Sequence, residues 1–274
     1  MNLSFELYPP KIWDQTIQEK YHSLINTLLQ YNPKFISCTY GANGGTRITS
    51  LKILKMIRQL GGEALAHCTI ANQSWNDVEK FVEQLRDIGI NKILCLRGDT
   101  NSQEKQYASD LMKFIGNKYG NEFEIFGAWY PEKHQENKQL SMEVEIEKNF
   151  KNKTKNGCKK FISQCFFDNQ EFLSVTKKIN NSYQGIDLYA GIFPLLKTKQ
   201  LENIQKLSGC SIPNSVTEFF KTNSEQPEAI YEFGIKNTIK QVQDLLKHDF
   251  TNIHIFTMND EQSIVEIMKE FKNV

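Results

Sequence analysis

A cation and a carboxylate follow directly after a short apolar run in the first half of the chain. Ile93 to Leu96 are consecutive apolar residues, which is typical of a strand buried on both faces in a parallel sheet. Arg97, Gly98 and Asp99 come next. Active sites lie at the carboxyl ends of the strands in closed α/β barrels, so both charged side chains are candidates for chemistry. The alternative is an ordinary exit of a strand into solvent, where charged residues are common.

The ends of the other predicted strands help to choose between these interpretations. Polar side chains occur at or just beyond the ends of the first six predicted strands. In chain order, strand by strand, they are Glu6; Thr39 and Tyr40; His67 and Thr69; Arg97 and Asp99; Tyr130, Glu132 and His134; Gln164 and Asp168. One polar residue in a buried strand is usually hydrogen-bonded within the core. Polar residues at the same end of six successive strands favour a functional site instead.

Strand-like and helix-like segments alternate along the chain. We predict eight strands, at residues 3–8, 35–40, 64–69, 93–96, 124–130, 160–167, 187–194 and 252–258. Apolar residues at helical spacing follow each strand, and an insertion with Pro213 and Pro227 leads to a long helix at 229–247. This order predicts a single-domain (β/α)8 barrel over residues 1–274. A doubly wound open sheet is the alternative, but no strand is followed by a Gly-x-Gly-x-x-Gly turn.

Composition and charge exclude several classes of protein. The net charge is +1, from 33 basic and 32 acidic residues, which gives no indication of a nucleic-acid-binding protein. No apolar run is as long as a membrane-spanning helix, and the acidic Glu6 does not fit a signal peptide. The six cysteines form no Cys-x-x-Cys pair and lie mostly inside apolar runs. We therefore expect a cytoplasmic protein with reduced core cysteines, no metal site and no membrane contact.

Seven short motifs occur in order along the chain and carry a resemblance. They are Phe5-Glu-x-x-Pro-Pro10, Thr39-Tyr-Gly-Ala-Asn43, Ala66-His-Cys-Thr69, Leu96-Arg-Gly-Asp99, Tyr107-Ala-Ser-Asp110, Tyr130-Pro-Glu-x-His134 and Gln164-x-Phe-Phe-Asp168. Each is weak alone, but together and in this order they resemble the bacterial-type catalytic domain of the methylenetetrahydrofolate reductase family. The resemblance runs from the first strand to the last. It implies a (β/α)8 barrel with FAD across its carboxyl-terminal mouth.

The resemblance also implies an activity. A flavin would pass a hydride from NADH or NADPH to 5,10-methylenetetrahydrofolate, and the product, 5-methyltetrahydrofolate, would feed methionine synthesis. The nicotinamide nucleotide and the folate would use the same flavin face in turn, which gives ping-pong kinetics. Relatives self-associate, so the resemblance implies a homo-oligomer. The choice between NADH and NADPH stays open, because no ribose-reading acid follows a glycine turn.

Two carboxylates are the implied catalytic residues. Reduction of the folate requires its five-membered ring to open to an iminium ion, so N10 must be protonated. That step needs a carboxylic acid whose pKa is raised by desolvation, and the resemblance places Glu6 in this role. The alternative is a buried glutamate paired with a core cation. Asp99 is the implied second carboxylate, which would adjust the flavin potential and stabilise the iminium ion.

The resemblance also implies which other residues bind the cofactor and the substrates. The implied FAD contacts are Tyr40, Ala42, His67, Arg97, Gly98, Asp99, Ala108, Tyr130, His134, Asn149 and Lys153. The implied contacts with nicotinamide or folate are Thr39, Asp99, Gln164 and Gln200. Lys153 would lie near the FAD diphosphate, whereas the alternative for its basic run is a solvated helix face.

The chain departs from the family pattern at three places. An acidic FAD partner is expected after His134, but a slightly longer segment leaves Glu143, Glu145 and Glu147 as candidates. Cys165 replaces a bulky apolar residue after Gln164. Asp260 stands where relatives often carry an arginine for the folate, which leaves the binding of the folate tail open.

Two other functions remain as alternatives. One is a different flavin barrel, such as a proline dehydrogenase, but the first-strand and sixth-strand motifs argue against it. The other is a non-catalytic binding module, since Arg97-Gly98-Asp99 also spells an adhesion tripeptide. That function would need an exposed loop on a secreted protein.

Replacement of Asp99 by Asn is expected to raise the flavin midpoint potential. Removing a nearby anion makes negative charge on the reduced ring less unfavourable. Redox titration of both proteins measures the shift, with Asp87→Asn, on a predicted helix away from the strand ends, as the control. Equal potentials for the wild type and Asp99→Asn would contradict the electrostatic role.

Overall fold

The protein is a closed barrel of eight parallel strands. A computed structural model of the chain describes residues 1–40, 47–98, 106–133, 137 and 139–271, except for the side chains of 205–207. The strands follow chain order around the barrel, and the last strand pairs with the first. The predicted (β/α)8 architecture is therefore confirmed.

The strands begin close to their predicted starts, but several end earlier. They are β1 Asn2–Leu7, β2 Phe35–Cys38, β3 Ala64–Thr69, β4 Lys92–Leu96, β5 Glu124–Trp129, β6 Lys160–Ser163, β7 Asp187–Ile192 and β8 Asn252–Phe256. The largest difference is at β6, which was predicted to continue to 167. Gln164 and Asp168 consequently lie in the loop after this strand rather than within it.

Helices connect the strands on the outside of the barrel. The described ones are α1 Gln15–Leu29, α2 Arg47–Gln59, α3 Trp75–Asp87, α4 Ala108–Tyr119, α5 Met142–Lys155, α6 Asn169–Ser182, α7 Thr198–Ser208, α8 Asn214–Thr222, α9 Pro227–Lys247 and α10 Glu261–Lys269. A capping box begins α3: the Ser74 hydroxyl accepts from the Asp77 N–H at 3.2 Å, and the Asp77 carboxylate accepts from the Ser74 N–H at 3.3 Å. No described helix is long and apolar enough to cross a membrane.

Two apolar layers hold the barrel. Inside it, the rings of Phe35 and Phe126 meet edge to face with centroids 5.2 Å apart, and Tyr189 lies 5.4 Å from Phe35. Leu94 and Ile162 belong to the same buried interior group. A larger layer fills the space between the strands and the helices, and all six cysteines are buried and unbonded. The prediction that the cysteines lie in the core is confirmed.

The insertion before the long helix contains α8, which the sequence analysis did not assign. Helix α8 packs on α9, where the rings of Phe219 and Phe233 stack with centroids 4.0 Å apart. A separate buried group forms beside the carboxyl ends of β6 and β7. We call this group the side cluster; its buried members are Cys165, Leu195, Ile204, Cys210, Val216, Phe220 and Ile230.

Helix α9 is seated so closely that a methyl group would not fit at Gly234. A Cβ atom there would lie 1.9 Å from the Leu195 carbonyl oxygen. We expect Gly234→Ala to lower the free energy of unfolding by about 1–3 kcal/mol or more, because the backbone must move. Gly116→Ala in α4, where a Cβ would meet no atom within 4 Å, is the control and is expected to stabilise by about 0.5–1 kcal/mol. Urea unfolding measures both changes, and equal effects would contradict the close packing of α9.

Candidate active site

A cavity of about 530 Å³ opens at the carboxyl ends of the strands. Its wall brings together eight of the predicted site residues. These are Glu6, Thr39, Tyr40 and His67 from the first three strands, and Arg97, Gly98, Tyr130 and Gln164 from the next three. Leu94 and Ile162 of the barrel interior also line it, so the cavity lies directly on the core.

A second cavity of about 270 Å³ adjoins the first. The two share four lining residues, which we call the shared wall: Leu96, Arg97, Ala128 and Tyr130. Three further predicted residues, Ala108, Asn149 and Lys153, line the second cavity. The predicted site therefore occupies two neighbouring hollows rather than one.

Glu6 is held in place by its own backbone. The carbonyl oxygen of Glu6 accepts hydrogen bonds from the Thr257 hydroxyl at 2.6 Å and the Thr257 N–H at 3.2 Å. Its neighbours Phe5 and Leu7 are fully buried on the opposite face of the strand, because side chains alternate along a strand. The Glu6 side chain is directed into the cavity and keeps 20% exposure.

Two buried histidines face the Glu6 carboxyl group. His67 Nε2 lies 3.4 Å and His254 Nε2 lies 3.8 Å from Glu6 Oε2. Burial lowers the pKa of His67 to about 4, so its ring is neutral at neutral pH. Within the described part of the chain, no lysine or arginine lies within 4 Å of this carboxyl group. The alternative of a glutamate paired with a core lysine or arginine is thus not what the described residues show.

His254 was missed by the sequence analysis, and its hydrogen bonds fix the orientation of its ring. The Ser4 hydroxyl donates to the Ile253 carbonyl at 3.3 Å and lies 2.8 Å from His254 Nδ1. The arrangement that satisfies both contacts has Nδ1–H donating to Ser4, so the Nε2 edge of the ring faces Glu6. His254 lies in the middle of β8 rather than at its end. The available signal was a histidine between Ile253 and Ile255 in a buried strand.

Thr39 and Gln164 present polar groups to the first cavity. The Thr39 hydroxyl oxygen is buried and has no hydrogen-bond partner among the described residues. The Gln164 side-chain oxygen accepts from the N–H of Cys165 at 2.9 Å, so this amide is oriented by its own loop. A buried polar atom without a partner costs about 1–3 kcal/mol, which a ligand can recover by bonding to it.

Tyr40 and Gly98 form part of the same wall in different ways. The Tyr40 hydroxyl donates to Gln73 at 2.9 Å, so its ring, rather than its hydroxyl group, is available to the cavity. Gly98 has φ of +88°, and a Cβ atom would lie 3.0 Å from Thr69 Cβ. Position 98 therefore requires glycine for both conformation and space.

Lys153 does not lie on a solvated helix face. Its ammonium group donates to the Ala128 carbonyl at 2.6 Å and to Asn149 Oδ1 at 3.3 Å. Desolvation by burial lowers the pKa of Lys153 to about 8. By contrast, Lys151 is exposed and pairs with Glu147 at 2.8 Å. The solvated-face alternative therefore fails for Lys153, whose cation points into the second cavity.

The three candidate acids of α5 have different positions. Glu145 is buried, and its carboxylate accepts from the Asn149 side chain at 2.6 Å. Glu143 and Glu147 are exposed and pair with surface lysines. Glu145 is thus the one connected, through Asn149, to the second cavity.

Gln200, expected to contact folate, and Asp260, which stands where relatives often carry an arginine, both cap helices. The Gln200 side-chain oxygen accepts from the N–H groups of Leu196 at 2.7 Å and Lys197 at 3.0 Å, and Gln200 lines neither cavity. Asp260 accepts from the Ser263 N–H at 3.3 Å at the start of α10. Three other predicted residues, Ala42, Asp99 and His134, lie outside the described residues.

Comparisons with known proteins point to one family. The family model described as methylenetetrahydrofolate reductase matches residues 1–272. A 5,10-methylenetetrahydrofolate reductase of Pectobacterium carotovorum subsp. carotovorum is 30% identical over 263 residues, covering 94% of this chain and 86% of the relative. One of Buchnera aphidicola subsp. Baizongia pistaciae is 32% identical over 279 residues, covering 100% and 92%. Methylenetetrahydrofolate reductase (NADH) 1 of Arabidopsis thaliana is 27% identical, covering 97% of this chain and 47% of the relative.

The solved structures support the fold. An uncharacterised Clostridium thermocellum protein, described as binding two copies of 5-methyl-5,6,7,8-tetrahydrofolic acid, has a TM-score of 0.72 at 17% identity, covering 98% of this chain and 94% of that one. At this identity the likeness shows the barrel alone. The match of the family model over nearly the whole length, together with the sequence relatives, shows that this chain belongs to the methylenetetrahydrofolate reductase family.

Proposed function

We propose that this chain is a cytoplasmic FAD-dependent reductase that converts 5,10-methylenetetrahydrofolate to 5-methyltetrahydrofolate with NADH or NADPH as the electron donor. The nicotinamide and the folate would bind in turn in the first cavity, and the product would supply methionine synthesis. The observation that carries the proposal is the Glu6 carboxyl group in the first cavity, which has no lysine or arginine partner among the described residues. The second cavity, which adjoins the first, is lined by Lys148 and Lys153. Family membership makes an oxidoreductase the expected class of enzyme.

The residues present fit an FAD molecule. A ligand with a flat ring system and a diphosphate needs two neighbouring spaces, one of them with a counter-charge. The two cavities adjoin along the shared wall, and the Lys153 ammonium group supplies a desolvated cation in the second. Arg97 lines both spaces, and the absence of a side chain at Gly98 lets a ligand approach the backbone. When bound, the flavin would supply the two-electron carrier that separates the two half-reactions.

Glu6 would deliver the proton that opens the folate ring at N10. Its carboxyl group points into the cavity, and the neutral ring of His67 beside it adds no positive charge. A protonated Glu6 can present its proton to the cavity, while His254 Nε2 lies beside the carboxyl group, 3.8 Å from Oε2. His254 and Ser4 are therefore proposed as positioning residues for Glu6. Asp99 remains the proposed partner for the iminium ion.

The substrates would be held by the polar groups of the first cavity. The Thr39 hydroxyl and the Gln164 amide lie on its wall, and both would serve the nicotinamide and the folate in turn. Gln200 keeps its two amide hydrogens after its oxygen caps α7, so a contact with folate would use those hydrogens. We further propose that the enzyme is a homo-oligomer, as its relatives are expected to be.

Glu6→Gln tests the proton donor. The variant cannot protonate N10, so reduction of methylenetetrahydrofolate should fall by about 10²–10⁴-fold. FAD binding and bleaching of the flavin absorbance by NADH should remain, because neither needs this proton. Stopped-flow absorbance of the two half-reactions separates these effects.

The control for Glu6 is Glu19→Gln, on the exposed side of α1, which makes the same chemical change away from both cavities. It should retain both half-reactions. Normal reduction of the folate by Glu6→Gln would contradict the assignment of Glu6.

Lys153→Met tests the second cavity as the diphosphate site. Loss of a charge-assisted hydrogen bond worth about 1.5–3 kcal/mol should raise the dissociation constant for FAD by about 10–150-fold. Lys151→Met, two residues away on the exposed face of the same helix, should leave it unchanged. Fluorescence titration of apoprotein with FAD gives both constants, and circular dichroism checks the fold. Equal affinities for the two variants would show that Lys153 does not bind the cofactor.

A further inference from the structure

Two thiols meet beside the first cavity. Cys165 Sγ and Cys210 Sγ lie 4.0 Å apart although the residues are separated by 45 positions in the chain. Cys165 follows β6, and Cys210 follows α7. Both belong to the side cluster, where Cys165 is 2% and Cys210 is 8% exposed.

The surroundings of Cys210 differ from those of the remaining cysteines. The Ser208 hydroxyl donates to the Ile204 carbonyl at 2.6 Å, accepts from the Cys210 N–H at 3.2 Å and lies 3.0 Å from Cys210 Sγ. Hydrogen bonding from Cys165 is the main cause of a lowered pKa at Cys210, and the same contact and burial raise the pKa of Cys165. Burial raises the pKa of Cys38, Cys68, Cys95 and Cys158. Cys210 is also the more exposed of the two sulfurs, which makes it the candidate for the attacking sulfur, with the Cys165 thiol beside it.

Backbone hydrogen bonds connect the two cysteines to the candidate active site. The N–H of Cys165 donates to the side-chain oxygen of Gln164 at 2.9 Å, and Gln164 lines the first cavity. On the other side, the Ser211 N–H donates to Glu132 at 2.6 Å. The loops after β5, β6 and α7 thus meet at this point. A change in the separation of the two sulfurs would be transmitted to Gln164.

We propose that Cys165 and Cys210 form a redox-active dithiol, which hydrogen peroxide oxidises to a disulfide beside the substrate cavity. The Cys210 thiolate attacks one peroxide oxygen, the O–O bond breaks, and the departing hydroxide takes a proton to become water. Cys165 then loses its proton and attacks the sulfur of the resulting sulfenic acid, which forms the S–S bond and expels hydroxide that becomes a second water. Two thiols lose two electrons and two protons, and the peroxide becomes two waters.

Formation of the bond requires movement. A disulfide holds its sulfurs about 2.05 Å apart, so the 4.0 Å separation must shrink by about 2 Å. Because Cys165 holds the amide of Gln164 through its backbone N–H, the oxidised form should bind substrates less well. This effect on activity rests on the proposed function, whereas formation of the disulfide does not.

The chemical test uses the full-length reduced protein treated with hydrogen peroxide. Intact mass should fall by two hydrogen atoms, and peptide mapping without reductant should find one peptide pair that joins positions 165 and 210. Dithiothreitol should reverse both changes. Absence of a crosslink, or a crosslink between other cysteines, would overturn the proposal.

Single variants assign the two roles. Cys165→Ala should form no intramolecular crosslink, and dimedone should trap sulfenic acid at position 210. Cys68→Ala, which removes a buried thiol outside the pair, should still form the 165–210 crosslink. Trapping elsewhere than at position 210 in Cys165→Ala would contradict the assignment of Cys210 as the attacking sulfur.

Activity is measured separately. Oxidised wild-type protein should lose at least several-fold in methylenetetrahydrofolate reduction and regain it with dithiothreitol, and Cys165→Ala should be insensitive to the same treatment. A crosslinked protein of unchanged activity would overturn the connection to Gln164. A crosslink in a protein that is inactive even when reduced would count against the proposed function and leave the disulfide standing.

Discussion

The hydrogen-bonded pairing between β1 and β8 is the interaction on which the candidate site depends. Its register places Ser4 beside His254 and Glu6 beside Phe256, although these residues are about 250 positions apart in the chain. The hydroxyl and N–H of Thr257 then anchor the Glu6 carbonyl. A slip of one residue would turn Glu6 away from the cavity, because side chains alternate between the two faces of a strand. Closure of the barrel therefore sets the position of the proposed proton donor.

The site concentrates polar groups that the fold itself does not satisfy. The Thr39 hydroxyl and the Nε2 atoms of His67 and His254 are buried without hydrogen-bond partners among the described residues. Each costs about 1–3 kcal/mol of folding free energy. A ligand that bonds to the Thr39 hydroxyl or to His67, both on the wall of the first cavity, would bind to the folded chain alone and so stabilise it. Two polar atoms that the fold leaves without partners thus lie in the wall of the proposed substrate cavity.

The sequence predicted the barrel well because its strands are short apolar runs, and such runs are the main signal of strands buried on both faces. The end of β6 was placed too late, since apolar residues of the side cluster continue the pattern past Ser163. His254 was missed because it lies in the middle of β8, whereas only residues at strand ends were taken as candidates. The pairing of β1 with β8 that brings it to Glu6 is a long-range contact. Gln200 was expected at the cavity, but its local capping bonds are invisible in a family motif. Position along the chain could be predicted, whereas the partner of each polar atom could not.

The contact between Lys153 and the Ala128 carbonyl gives the second cavity a dependence on proton concentration. With a pKa of about 8, the lysine is mostly charged at neutral pH and loses its proton as the pH rises further. A bound anion would favour the charged form and raise this pKa again. Above about pH 8, therefore, an anion that binds beside Lys153 would cause the lysine to take up a proton from the buffer. An anion bound in the second cavity would thus be linked to proton uptake through one desolvated amine.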